Sequence, residues 1–136
     1  MIDTIAFEVQ LDQPYETAMK GVIEALKSEG FGVLTQIDVK ATLKDKLGED
    51  FRPYSILGAC NPPLAHRALT SEAIVGVMLP CNITVEASPG GGSIVQIANP
   101  EMMMQVGALQ ENPTLKQVAK EARTKLERVA AKLSEG

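Results

Sequence analysis

Tyr54-Ser-Ile-Leu-Gly-Ala-Cys60-Asn61-Pro62-Pro63 and, further on, Ile74-Val-Gly-Val-Met-Leu-Pro80-Cys81-Asn82-Ile-Thr-Val-Glu-Ala87 carry the densest signals in the chain. The first is an apolar run, a strand by its composition, that ends at a cysteine and a helix start. An Asx side chain accepts a hydrogen bond from an unpaired first-turn N–H, and a proline at the first helical position has no N–H to leave unpaired. In the second, Ile74 to Leu79 is apolar on both faces and reads as a buried central strand. Pro80 cannot donate to a ladder, so it marks a bulge or an edge. Ile83, Val85 and Ala87 then alternate with Thr84 and Glu86, the pattern of a half-buried strand.

Working outward, residues 3–11 also alternate, with Ile5, Phe7, Val9 and Leu11 on one face. Asp12-Gln13-Pro14 has the cap-plus-proline chemistry of a helix start, and Tyr15, Ala18, Met19, Val22, Ala25 and Leu26 make one apolar stripe. Gly30 ends that helix in the left-handed conformation. Phe31 to Val39 reads as a strand, with Val33, Ile37 and Val39 sharing a face. Lys40 to Leu47 reads as a short helix stopped by Gly48. Asn61-Pro62 opens a helix that turns Leu64, Ala65, Ala68 and Leu69 inward. Ser88 to Ser93 is a turn and Ile94 to Ala98 the strand that pairs back. Asn112-Pro113 caps a last helix to about Ser134, where Leu115, Ala119, Ala122, Leu126, Val129 and Leu133 recur at spacings of four and three. This order is that of an α+β domain: a mainly antiparallel sheet of about five strands backed by helices.

A chain of 136 residues is one domain by length. At that size about 65–70% of the unfolded surface leaves water, so neither metal nor disulfide is required. Three Phe and no Trp imply an aliphatic core. A net charge of −4 without a basic stripe argues against nucleic acid as a partner. No apolar run approaches the roughly 18 residues of a membrane span. The chain starts on strand-like residues with no charged and apolar leader, so the expectation is a cytoplasmic protein whose two cysteines are reduced thiols.

Gly58-Ala-Cys60-Asn61-Pro62, Leu64-Ala65, Ala68-Leu69 and Leu79-Pro80-Cys81-Asn82-Ile83-Thr-Val85 together resemble the bacterial and archaeal domain-of-unknown-function family 302. The resemblance spans nearly the whole chain and is most specific in the two cysteine-bearing segments. It implies a fold like one repeat of the TATA-box-binding protein, a curved antiparallel sheet backed by helices, often in dimers. It implies neither DNA binding nor any catalytic residue.

No complete catalytic motif is present, and whether the protein is an enzyme stays open. Cys60 and Cys81 stand at strand ends. Reduced thiols there could form a redox pair or a soft-metal site, with a helix N-terminus lowering the Cys60 pKa; both could equally be small buried hydrophobes. His66 could join them as a third metal ligand, with a thioether from Met102-Met103-Met104 as a fourth, although the spacing matches no metal signature. The methionine segment also suits a subunit interface or a greasy pocket. Gly90-Gly91-Gly92 lies between strands and reads as a hairpin loop rather than a phosphate cradle. Tyr54 could bring a hydroxyl near Cys60, and Asn61 and Asn82 each follow a cysteine. The reading is therefore a homodimer that binds a small ligand or a protein partner at the sheet end marked by Cys60, Asn61, Cys81 and Asn82, with Tyr54 and His66 nearby. No metal or cofactor is assigned. The alternatives are a thiol-redox or soft-metal protein using Cys60 and Cys81, and an assembly module using the 113–134 seam and the methionines.

Overall fold

Strand β1 (Ala6–Leu11) turns Phe7, Val9 and Leu11 toward the core, as its alternation requires. The computed structural model describes residues 4–135, so Asp3, the first residue of the expected strand, lies outside the described residues. Ile5 precedes β1 and is exposed. Helix α1 (Tyr15–Ser28) is not capped by Asp12: Pro14 occupies the cap position, without a side-chain cap, and its carbonyl receives the Ala18 N–H at 2.9 Å. Asp12 sits two residues before that cap, too far back to serve the first turn. The other end behaves as expected. Gly30 has φ 83°, its N–H reaches the Lys27 carbonyl, and the Phe31 N–H reaches that of Leu26. This is a Schellman closure, in which Phe31 and Leu26, both buried, meet beneath the glycine.

Strand β2 (Gly32–Asp38) carries a register shift between Val33 and Thr35 and stops one residue short of the expected Val39. Asp38 decides this, because its side chain accepts the Ala41 N–H at 2.9 Å and starts helix α2 (Val39–Leu47) at Val39. Gly48, φ 70°, ends α2, which buries none of its residues. Strand β3 (Tyr54–Cys60) leads directly into helix α3 (Pro62–Ser71), whose cap is Asn61: Oδ1 accepts the Leu64 N–H at 3.3 Å.

The expected central strand at Ile74–Leu79 is instead a 3₁₀ segment, Ala73–Met78. Its N–H groups are met locally, Val75 by Glu72 and Leu79 by Gly76. Only Val75 is buried, while Ile74 is 61% and Val77 81% exposed. A short, wholly apolar run has no period, so apolarity alone did not separate a strand from a tight helical turn. The Leu79–Pro80 peptide is cis, and β4 (Cys81–Ala87) begins immediately after it. The Ser88–Gly92 turn returns the chain into β5 (Ser93–Ala98). Asn99 then caps a one-turn helix α4 (Pro100–Met103), the segment whose form the sequence left open. A second 3₁₀ segment (Gly107–Glu111) precedes α5 (Pro113–Glu135), capped by Asn112 Oδ1 on the Leu115 N–H at 3.1 Å.

All sheet pairings are antiparallel, in the order β1-β5-β4-β3-β2. Register aligns Leu57, Ile83, Ile97 and Phe7 in one row and Ser55, Val85, Val95 and Val9 in the next. These rows meet α1 and α5, and the polar member Ser55 is hydrogen-bonded to the Tyr15 hydroxyl. The alternate row, Ile56, Thr84, Gln96 and Glu8, lies on the other face, where Gln96 donates to Glu8 at 2.7 Å.

All six expected seam residues of α5, together with Val118, are buried. The seam packs on α1, α3 and β1 of its own chain, so it is not a free assembly surface. Truncating one such large side chain to alanine costs about 2–5 kcal/mol. Ion pairs border it: Arg67 grips Glu121 bidentately at 3.0 and 2.9 Å, and Arg128 and Lys132 reach Glu29 at 2.9 and 2.8 Å. Among the described residues, no helix is long and apolar enough to cross a membrane.

At Gly58 the β3 backbone is approached so closely that a Cβ would stand 2.2 Å from Thr35 Oγ1 and 2.7 Å from Pro80 Cγ. Gly58→Ala is expected to lower stability by about 1–3 kcal/mol in chemical denaturation. An unchanged midpoint would show that Pro80 is not held against the strand.

Candidate functional site

Between the ends of β3 and β4, helices α3 and α5 and the residues around α4 lies a cavity of about 380 Å³. Its origin is in side-chain size. Ala59 is the next-to-last residue of β3, Ala65 and Ala68 face inward from α3, and Ala119 and Ala122 face them from α5. Where two apolar stripes meet through alanines, the facing helices leave space that leucines would have filled. Phe31, Leu64 and Val118 complete much of the wall. Leu34, 69% exposed, and Leu69, 42% exposed, mark the rim. The volume falls within the roughly 300–1,000 Å³ usual for small-molecule sites.

Among the described residues no charged side chain lines it; the polar side chains that do are those of Thr35, Cys60, Asn61 and Cys81. Asn61 is largely committed to the scaffold. Besides capping α3, its Nδ2 points to the Glu29 carbonyl at 3.4 Å, and a Cβ on Gly30 would come within 3.0 Å of that nitrogen. One buried amide thus ties the start of α3 to the end of α1.

The two sulfur-bearing junctions do converge. Register places Cys81 opposite Ala59, next to Cys60, and both cysteines are free, partly buried and on the cavity wall. Burial, and secondarily the neighbouring Cys60, pushes the Cys81 thiol up from 9.0 to about 11. A thiol in that state is neutral and a poor nucleophile near pH 7.

Of the six residues singled out in the sequence, Cys60, Asn61 and Cys81 therefore line one cavity and the other three do not. His66 is exposed on α3, and among the described residues no three His, Cys, Asp or Glu side chains gather as a metal set. The helical turn after Asn61 carries His66 away from the thiols, which spacing alone could not reveal. Tyr54 lies at the opposite end of β3, edge-on to Phe51 at 6.1 Å and beside Arg52. Asn82 is exposed and paired with Gly58. Met104 joins the cavity wall, in keeping with the greasy-pocket reading of the methionine segment. The sequence placed Ala65, Ala68, Ala119 and Ala122 on inward helix faces but did not mark them as site residues. Their signal was present as small residues at helical spacing on two apolar stripes, but it gained meaning only once the stripes faced each other.

Site-resolved alkylation with iodoacetamide should find Cys81 labelling climbing about tenfold per pH unit toward pH 11. A plateau below pH 9 would contradict its buried state. The folded state holds this proton more tightly, so the thiol's contribution to stability is whole below pH 9.0 and lost as pH rises through about 11.

The model of the family described as "Domain of unknown function DUF302" matches residues 7–133. A search of curated proteins finds no match. Among solved structures, the chain is similar to the crystal structure of an uncharacterized conserved DUF302 protein from Bacillus stearothermophilus, with 30% identity and a TM-score of 0.83. The likeness covers 96% of this chain and 98% of that one.

Proposed function

The chain belongs to the DUF302 family, and on that footing we propose that it is a binding domain for a small, largely apolar molecule held between α3, α5 and the β3–β4 end of the sheet. The observation that carries this reading is the cavity of about 380 Å³ with alanine, leucine and valine walls and, among the described residues, no charged lining side chain. General acid–base work needs a group whose pKa is matched to the working pH. The cavity offers an amide already hydrogen-bonded, a hydroxyl and thiols, of which Cys81 is held neutral. Such walls favour uptake by burial, at about 25 cal/mol per Å² of apolar surface removed from water.

Ala65 is half-buried on the cavity wall, so a larger side chain there enters the space without displacing the innermost core. With Nile red as the probe, Ala65→Phe is expected to weaken binding at least about tenfold, a loss of roughly 1.4 kcal/mol, while denaturation stays cooperative. Equal binding by the variant and the natural protein would remove the cavity as the site.

A second reading concerns assembly. Strand β2 is an edge of the sheet, and it exposes Leu34 and, at 48%, Ile37, with no charged residue before Asp38. An exposed edge of that kind is a template for pairing with another chain. We propose that a second copy adds there, covering Leu34 at the cavity rim. Sedimentation at micromolar concentration is expected to give a dimer that Ile37→Lys converts to monomer. A monomeric natural protein would end this reading without touching the first.

A further inference from the structure

Beside the apolar cavity lies a second hollow, about 550 Å³, between α4, the Gly107–Glu111 segment and the first turns of α5. Met104 and Ala119 belong to the walls of both, so the two spaces adjoin. Their chemistry differs. The second hollow is lined by Lys116 and Lys120, one helical turn apart, and by Glu101, Gln105, Gln110 and Gln117. Glu101 is already held by Arg123 at 2.9 Å, and Gln117 donates to Glu121 at 3.1 Å. Among the described residues, the Lys116 and Lys120 ammonium groups enter none of the ion pairs. The Lys116 position is also electrostatically unfavourable for the free protein. It lies in the opening turns of a 23-residue helix with no acid in its first turn, where the dipole disfavours cations and welcomes an anion. These two cations therefore stand beside an apolar hole with no carboxylate of the described residues bound to either.

Resting on the binding function proposed above, we propose that the ligand is an amphipathic anion. Its hydrocarbon body occupies the alanine-walled cavity, its carboxylate or phosphate head sits on Lys116 and Lys120, and it passes over Met104, whose flexible thioether can adapt to the crossing. The carboxamides of Gln105 and Gln110 are within the same hollow to donate to the head. Head and body are thus recognised by different side chains, the head by those of the 3₁₀ segment and the polar face of α5, the body by those of α3, the strand ends and the buried face of α5.

Calorimetric titration of the full chain with decanoate, decyl phosphate, 1-decanol and decylamine tests this. Both anions are expected to bind about tenfold more tightly than decanol at low salt, and decylamine more weakly. The gap should narrow as added salt screens the exposed lysines. Shortening the chain should weaken each probe about fourfold per methylene. Lys116→Gln with Lys120→Gln is expected to bring the anions down to decanol while leaving decanol unchanged, and Lys125→Gln should alter neither. The ratio of decanoate to decyl phosphate distinguishes the two head groups. If decanol binds as tightly as the anions, or if the double variant weakens all probes alike, the head-group assignment is overturned and the cavity stands. If no probe binds and none displaces Nile red, the cavity reading falls as well.

Discussion

The apolar stripe of α5 has to be covered along its whole length, and most of the architecture follows from how that is done. A 23-residue helix with seven buried side chains cannot be satisfied by one neighbour. It takes α1, α3 and β1 together, with the sheet rows centred on Leu57, Ile83 and Ile97 beneath the same core. Burial is non-directional, so what holds these partners at defined positions is the polar trim around the seam. The bidentate Arg67–Glu121 pair sets α3 against α5, and Glu29 sets the end of α1 against Arg128 and Lys132. Their cationic side chains stay 41–51% exposed, so each contact is worth little individually; their value is in register.

The same constraint explains why the domain is hollow at one end. Along α5 the seam changes from leucine and valine in its C-terminal half to alanine at positions 119 and 122, opposite the alanines of α3. Close packing is the norm in protein interiors, and a void of this size forfeits dispersion contacts along its wall. The molecule tolerates the loss because the rim is braced independently. Asn61 fixes α3 to α1, Pro80 packs on Gly58, and Val75 alone of its 3₁₀ segment anchors the turn that precedes β4.

Burial also governs the chemistry of the Cys81 thiol. Cys81 lies in a surround with almost nothing to stabilise a negative charge, so its proton is retained far above neutrality. Its proximity to Cys60 deepens that effect.

Much was legible in the sequence because it was local. The alternation of β1, β4 and β5, the caps at Asn61 and Asn112, the left-handed Gly30 and Gly48 and the seam of α5 each follow from residues within a few positions of one another, and so does the α+β order they compose. Two local signals competed and were resolved only by the fold. Asp38 ended β2 by capping α2, and the aperiodic Ile74–Leu79 run became a tight helical turn whose hydrogen bonds close on themselves. The convergence of Cys60 with Cys81, the separation of His66, Tyr54 and Asn82 from them, and the pairing of alanines across α3 and α5 were decided by tertiary structure alone. The physical reason is that a strand or cap depends on neighbours along the chain, whereas a cavity depends on which side chains are absent between elements far apart in sequence.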